Sequence, residues 1–148
     1  EEAVSPAREI EVSVLGNLDL RVSVPGEIVP GADFYDFDDK YRDGAAELLI
    51  PAPLPDDVTA EVRDLAARAY RALRAEGLAR VDFFYEMDDV GNGRGFLCNE
   101  VNTMPGFTPI SMFPKLWIHS GLSYGALIDR LVDFALERHA RRRRNTKR

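Results

Sequence analysis

Apolar and polar positions alternate near the start of the chain. Ile10, Val12 and Val14 interleave with Glu9, Glu11 and Ser13, the period-two mark of a strand with one buried face. Leu20–Val24 repeats the pattern, with Val22 and Val24 apolar and Arg21 and Ser23 polar, and Gly16-Asn17 predicts the turn between the two runs. Pro25-Gly26 predicts a bend before the short apolar run Ile28-Val29 and a further turn at Pro30-Gly31. These pieces predict an antiparallel meander. Residues 32–47 keep neither period and read as a loop, with a short strand at Phe34–Phe37. Loops of that length serve as lids or binding loops, or lie on the surface pinned by their aromatics. Leu48–Pro55 reads as an extended, Pro-rich connector.

Helical spacing begins after it. Val58, Val62, Leu65, Ala66, Ala69, Tyr70 and Leu73 recur on one stripe, with Asp56 or Asp57 as the expected N-cap and Gly77 as the stop. Two apolar runs follow, Ala79–Glu86 and Gly95–Val101, around Asp-Asp-Val-Gly-Asn-Gly-Arg, which predicts a β-hairpin. Further on, Met112–His119 predicts a short helix stopped by Ser120-Gly121. Ser123 would cap a last helix with Leu127, Ile128, Leu131, Val132, Ala135 and Leu136 inward.

The hairpin carries the candidate chemistry. A turn centred on Gly91 sets Asp82 opposite Glu100 and Arg80 opposite Asn102, all four on one face. Opposed carboxylates repel. Such a row is either a solvated polar face or a site for a hard cation, which takes carboxylate and amide oxygens together with phosphate oxygens. Arg80 beside it suits an anion. After the hairpin, Asn102-Thr-Met-Pro-Gly-Phe-Thr predicts a tight turn whose Gly106 lets backbone N–H groups approach a ligand closely.

Composition narrows the picture. The 148 residues suffice for one domain with a core, at 45% apolar and 30% charged content. A single cysteine, Cys98, excludes an internal disulfide and a cysteine zinc cluster; it is expected as a small packed hydrophobe. His119 and His139 are expected near helix ends in structural roles, and Trp117 in the core. No apolar run reaches membrane-spanning length, and a cytoplasmic protein is the simplest expectation. Net charge is −6, with six basic and no acidic residues in 139–148, so the rest of the chain carries −12. An acidic body argues against nucleic acid as main partner, and the basic stretch reads as a solvated tail. The opening Glu1-Glu2 leads almost at once into a strand, which predicts a piece of a longer protein.

Four segments occur in order: Glu9-Ile-Glu-Val-Ser-Val-Leu-Gly, Phe34-Tyr-Asp-Phe-Asp-Asp-Lys-Tyr, Ala79-Arg-Val-Asp-Phe-Phe and Asn99-Glu-Val-Asn-Thr-Met-Pro-Gly-Phe-Thr. Together they resemble the C-terminal portion of D-alanine–D-alanine ligase, an ATP-grasp family of peptidoglycan synthesis, across residues 1 to 138, with 139–148 outside it as a tail. The resemblance implies an α+β fold with a mostly antiparallel sheet and packed helices. It implies ligation of two D-alanines with ATP through an acyl phosphate, and two Mg²⁺ ions, for which Mn²⁺ can stand in. Asp82 and Glu100 resemble the ligands of one ion, and Glu100 and Asn102 those of the other. Arg80 and the Gly106 N–H resemble the groups that stabilise the oxyanion, and Ser111 the residue that binds the second D-alanine's carboxylate. Lys40 and Tyr41 resemble the phosphate-reaching lysine and the tyrosine of a closing lid. Glu9 resembles the carboxylate on the ATP ribose, and Phe84 a contact to adenine. Asp39-Lys-Tyr resembles the dipeptide ligases rather than the D-lactate or D-serine makers. The family's N-terminal domain and central phosphate-covering elements have no counterpart in these residues, and the homodimer seen in the family forms through that missing part. The alternatives are another ATP-grasp carboxylate–amine ligase and a non-catalytic Mg-nucleotide-binding module.

Overall fold

The computed structural model describes residues 4, 7–30, 46–87 and 91–145. The expected strand at Phe34–Phe37, most of the 32–47 loop and the hairpin tip at 88–90 lie outside them. Among the described residues, five strands and three helices follow in the order β1 (Arg8–Gly16), β2 (Arg21–Pro30), β3 (Ala46–Leu49), α1 (Asp56–Ala72), β4 (Gly77–Glu86), β5 (Gly95–Asn102), α2 (Met112–His119) and α3 (Tyr124–Asn145). The strands form one antiparallel sheet in the order β3-β2-β1-β4-β5. The α+β, mostly antiparallel architecture is the one expected.

Period two divides the sheet into two faces. Ile10, Val12 and Val14 of β1 and Ala79, Val81 and Phe83 of β4 point to one face, where they pack against Val62, Ala66 and Tyr70 of α1. Burying the Ile, Val and Phe side chains among these stabilises by about 1.5–3 kcal/mol each before chain entropy is counted. Leu15 and Leu78, paired across β1 and β4, begin the other face. It is covered at that end by Phe113 and Trp117 of α2 and Leu127 of α3. Past Leu15 and Leu78, the same face continues with Ser13, Glu11 and Glu9 on β1 and Arg80, Asp82 and Phe84 on β4. The apolar end thus anchors two helices and leaves the polar end open for chemistry.

Several local expectations are corrected. β2 does not bend at Pro25-Gly26 but runs through it. Pro25 pairs opposite Val12 beside a register shift, a position where a missing ladder donor is tolerated. A Cβ on Gly26 would meet Leu116 Cδ2 at 2.8 Å and Met112 Sδ at 3.0 Å, so the glycine lets α2 lie against the sheet. Leu48 and Leu49 belong to β3 rather than to a connector. The N-cap of α1 is Pro55, with Asp56 and Asp57 in the first turn, where their charges favour the helix dipole. Gly77 does not end α1. Arg74 does so in the left-handed region (φ 52°), with its N–H bonded to Arg71 O and that of Ala75 to Tyr70 O, a Schellman closure.

In α3 the inward set is Leu127, Leu131 and Phe134, while Ile128, Val132 and Leu136 are exposed. The helix also runs on to Asn145, through the stretch expected as a solvated tail. Arg138 Nε pairs with Glu76 Oε2 at 2.6 Å, and Arg141 contacts the other oxygen of the same carboxylate. His139 therefore lies within a helix rather than near its end. Cys98 is exposed, because β5 is the last strand of the sheet. Trp117 is buried, as expected.

Candidate active site

The β4–β5 pairing brings the predicted quartet together. Arg80 pairs with Asn102 and Asp82 with Glu100, so the expected register holds where the chemistry lies. It breaks one step further, between Asp82 and Phe83, after which Phe83 faces Cys98 and Tyr85 faces Phe96. An extra residue on one strand makes this bulge. Its effect is to turn Phe96 against the aromatics of β4, stacked on Tyr85 at 4.4 Å and edge-on to Phe83 at 5.9 Å. Glu100 and Asn102 keep the polar face.

Arg80 forms a fork on Asp82: Nε donates to Oδ1 at 2.7 Å and Nη2 to Oδ2 at 2.8 Å. The two side chains are 18% and 14% exposed, so the pair is largely withdrawn from water and its planar geometry is fixed. Neighbouring carboxylates outweigh desolvation and hold the Arg80 guanidinium above its ordinary range, charged throughout. Glu100 is solvent-exposed. Asn102 Oδ1 accepts the Met104 N–H at 3.0 Å, an Asx turn that starts the following loop and leaves a second lone pair on the oxygen.

That loop closes on Ser111. Ser111 Oγ accepts the Thr108 N–H at 3.1 Å and lies 2.8 Å from Thr108 Oγ1, and the Ser111 N–H returns to Thr108 O at 2.9 Å. A Cβ on Gly106 would come within 2.9 Å of Ser111 Oγ. The glycine therefore brings the two predicted substrate-side residues together. Tyr124 of α3 donates to Phe107 O at 2.7 Å and ties the loop to the helical layer. At the other end of the row, Glu9 and Phe84 are opposed across β1 and β4, two residues along from Glu11 and Asp82. Lys40 and Tyr41 lie outside the described residues. A groove of about 580 Å³ beside β2, lined by Arg21, Arg63, Arg71 and Trp117, contains none of these residues.

Glu11 is the residue the sequence reading missed. Its Oε2 lies 3.2 Å from Arg80 Nε, yet that N–H is spent on Asp82, and Oε2 is buried without a hydrogen bond. Burial first, and then the nearby Asp82 charge, push the Glu11 carboxyl up to about 8, against the opposing pull of Arg80. The contact distance alone would favour the carboxylate, but desolvation and a like charge outweigh it. The signal was present in the alternation of Glu9, Glu11 and Ser13; what the sequence did not supply was that β1 lies beside β4.

No group of three His, Cys, Asp or Glu side chains stands at metal-holding distance among the described residues. The donor set of Asp82, Glu100 and Asn102 is nevertheless all oxygen, the chemistry a hard cation shared with phosphate needs.

Comparison with known proteins places this face in a family. A model described as D-ala D-ala ligase C-terminus matches residues 1–133. The chain belongs to the D-alanine–D-alanine ligase family. A D-alanine--D-alanine ligase from Thermoanaerobacter sp. is 57% identical over 134 residues, covering 90% of this chain and 36% of the relative. The solved D-alanine-D-alanine ligase from Coxiella burnetii superposes with a TM-score of 0.82 at 35% identity, over 99% of this chain and 36% of that one. The D-alanine--D-Alanine ligase from Bacillus anthracis, solved in complex with ATP, matches with a TM-score of 0.74 at 26% identity, over 96% of this chain and 43% of that one. The chain thus spans a little over a third of the length of the ligase relative, 36%. The ATP-grasp fold that the family resemblance implies is the fold of these ligases, and the polar face of β1, β4 and β5 is part of it.

Proposed function

We propose that the chain is the C-terminal catalytic part of an ATP-dependent ligase that joins two D-alanines into the dipeptide used for peptidoglycan precursors. The observation that carries this is the shared face of Arg80, Asp82, Glu100 and Asn102, continuous with the Gly106–Ser111 loop. Asp82, Glu100 and Asn102 hold two Mg²⁺ ions, with Mn²⁺ able to replace them. When bound, the ions neutralise phosphate oxygens during phosphoryl transfer.

The protein groups divide the remaining tasks. Arg80, permanently charged, meets the oxyanion that develops when the second substrate's amine attacks the acyl phosphate, with the Gly106 N–H as its partner. Ser111 Oγ, already oriented by Thr108, receives the carboxylate of the second D-alanine. Glu9 bonds the ribose and Phe84 contacts adenine, in line with their place at the far end of the row. Lys40 and Tyr41 close over phosphate, and the Tyr41 hydroxyl belongs to D-alanine rather than D-lactate use. The assembly works in the cytoplasm, where ATP is supplied, as a homodimer formed through the rest of the family's length.

ADP release by the full-length protein, coupled to an optical readout, tests this proposal. Release that requires D-alanine and fails with D-lactate as the second substrate is expected. Release that ignores D-alanine, or Mg·ATP binding that D-alanine leaves unchanged with no dipeptide formed, would replace the ligase reading with that of a nucleotide-binding module.

A further inference from the structure

Asp82 has two competing duties. Both its oxygens are taken by the Arg80 fork, and the proposed function gives the same carboxylate to a cation. A bidentate guanidinium takes one lone pair on each carboxylate oxygen and leaves one on each, but a cation placed there faces the guanidinium's positive charge. Release of Asp82 by Arg80 therefore needs an alternative acceptor, since a largely buried guanidinium left without one carries an uncompensated desolvation cost.

Glu11 is built for that role. It lies on the adjacent strand directly opposite Asp82, on the sheet side of Arg80 and away from the open edge at β5. Its residue exposure is 6%. Oε2 stands 3.2 Å from Arg80 Nε and has no hydrogen bond of its own. A buried carboxyl oxygen without a partner is costly, and at this position it is within reach of one donor only slightly redirected. We infer that Glu11 is a positioning residue that takes over the Arg80 guanidinium when Asp82 is given up to a divalent cation. The exchange keeps Arg80 on the site face, charged and held, while freeing Asp82. It needs no covalent step, only re-aiming of one N–H from the Asp82 carboxylate to the Glu11 carboxyl oxygen already beside it. The inference rests on the metal reading of Asp82.

Mn²⁺ binding to the full-length protein, followed by the EPR signal of the free ion, separates the two. Asp82→Asn must weaken Mn²⁺ binding; unchanged binding would overturn the metal reading, and the exchange with it. Given that loss, Glu11→Leu, which removes the acceptor oxygen, is expected to raise the Mn²⁺ dissociation constant about tenfold, equivalent to about 1.4 kcal/mol. In an Arg80→Met background, the same substitution is expected to change it less than about twofold, because no guanidinium remains to be rehoused. Equal weakening in both backgrounds would make Glu11 a direct or through-space contributor to the cation and overturn the exchange, as would no weakening in either. Glu11→Ala, which also removes the acceptor, repeats the comparison should Glu11→Leu fail to fold.

Discussion

Arg80 is the residue on which the site turns. Its fork to Asp82 is preformed and its charge does not depend on pH in the working range. Its proposed task lies in the transition state rather than in nucleotide binding. Arg80→Ala in the full-length protein is therefore expected to lower kcat by about 10²–10³-fold while leaving the KM for ATP within a few-fold, which steady-state kinetics read directly. A rise in KM with kcat preserved would assign Arg80 to ground-state binding instead. Glu11 gives a second test at this scale. Its folded carboxyl keeps its proton up to about pH 8, against an ordinary value of 4.5 once unfolded. Between these values the folded state binds more protons than the unfolded one. The stability this supplies is complete below about 4.5 and is lost as pH rises through about 8, an effect on the order of a few kcal/mol. Urea titrations in EDTA should show a falling contribution over that window which Glu11→Gln removes; an unchanged pH slope in the variant would contradict the burial argument. Of these residues, Arg80, Asp82, Glu100 and Asn102 were legible because period two and a glycine-centred turn fix who faces whom. Glu11 was not, because its role depends on a strand about 70 positions away in sequence.

At the scale of elements, most boundaries follow from local pattern, and the misses have physical causes. Pro25-Gly26 carries turn chemistry but stays in β2, since tertiary packing overrides local preference: α2 needs Gly26 to approach the sheet. The exposed stripe Ile128, Val132 and Leu136 has the same period as the buried one on α3, so periodicity alone could not choose between them; Phe134 and the contacts at Leu15 decide it. The β5 bulge is likewise invisible to a simple hairpin count, yet it separates the aromatic half of the hairpin from the polar half. Gly26→Val offers a direct check. The added atoms collide with Leu116 and Met112, so overpacking should cost about 1–3 kcal/mol, read as a lower denaturant midpoint with unchanged slope. A variant as stable as the parent would mean that α2 does not rest on β2 as described.

For the whole molecule, the sheet presents one wall. Its α1 side is closed by a packed core, and its other side is half covered by α2 and α3 and half open along Glu9, Glu11, Arg80, Asp82, Glu100 and Asn102. The fold class was legible in the sequence because alternating strands and amphipathic helices leave few arrangements, and the family motifs sharpened it. Strand order was not, because the return of β4 beside β1 is a long-range pairing with no local signal. With the chain spanning 36% of the length of the Thermoanaerobacter ligase, the 148 residues alone are expected to show no D-alanine-dependent ADP release; normal turnover by them would show that one wall suffices.

The central claim is that the face shared by β4 and β5 is the metal and phosphate side of a ligase site, and Glu100, exposed and opposed to Asp82, is its most direct probe. The deciding measurement is D-alanine-dependent ADP release by full-length Glu100→Gln, which keeps side-chain shape and removes only the charge proposed to be shared by two ions. Loss of turnover to background, with the fold retained by circular dichroism, is the predicted result. Ligation of D-alanine at the parent rate would contradict the assignment.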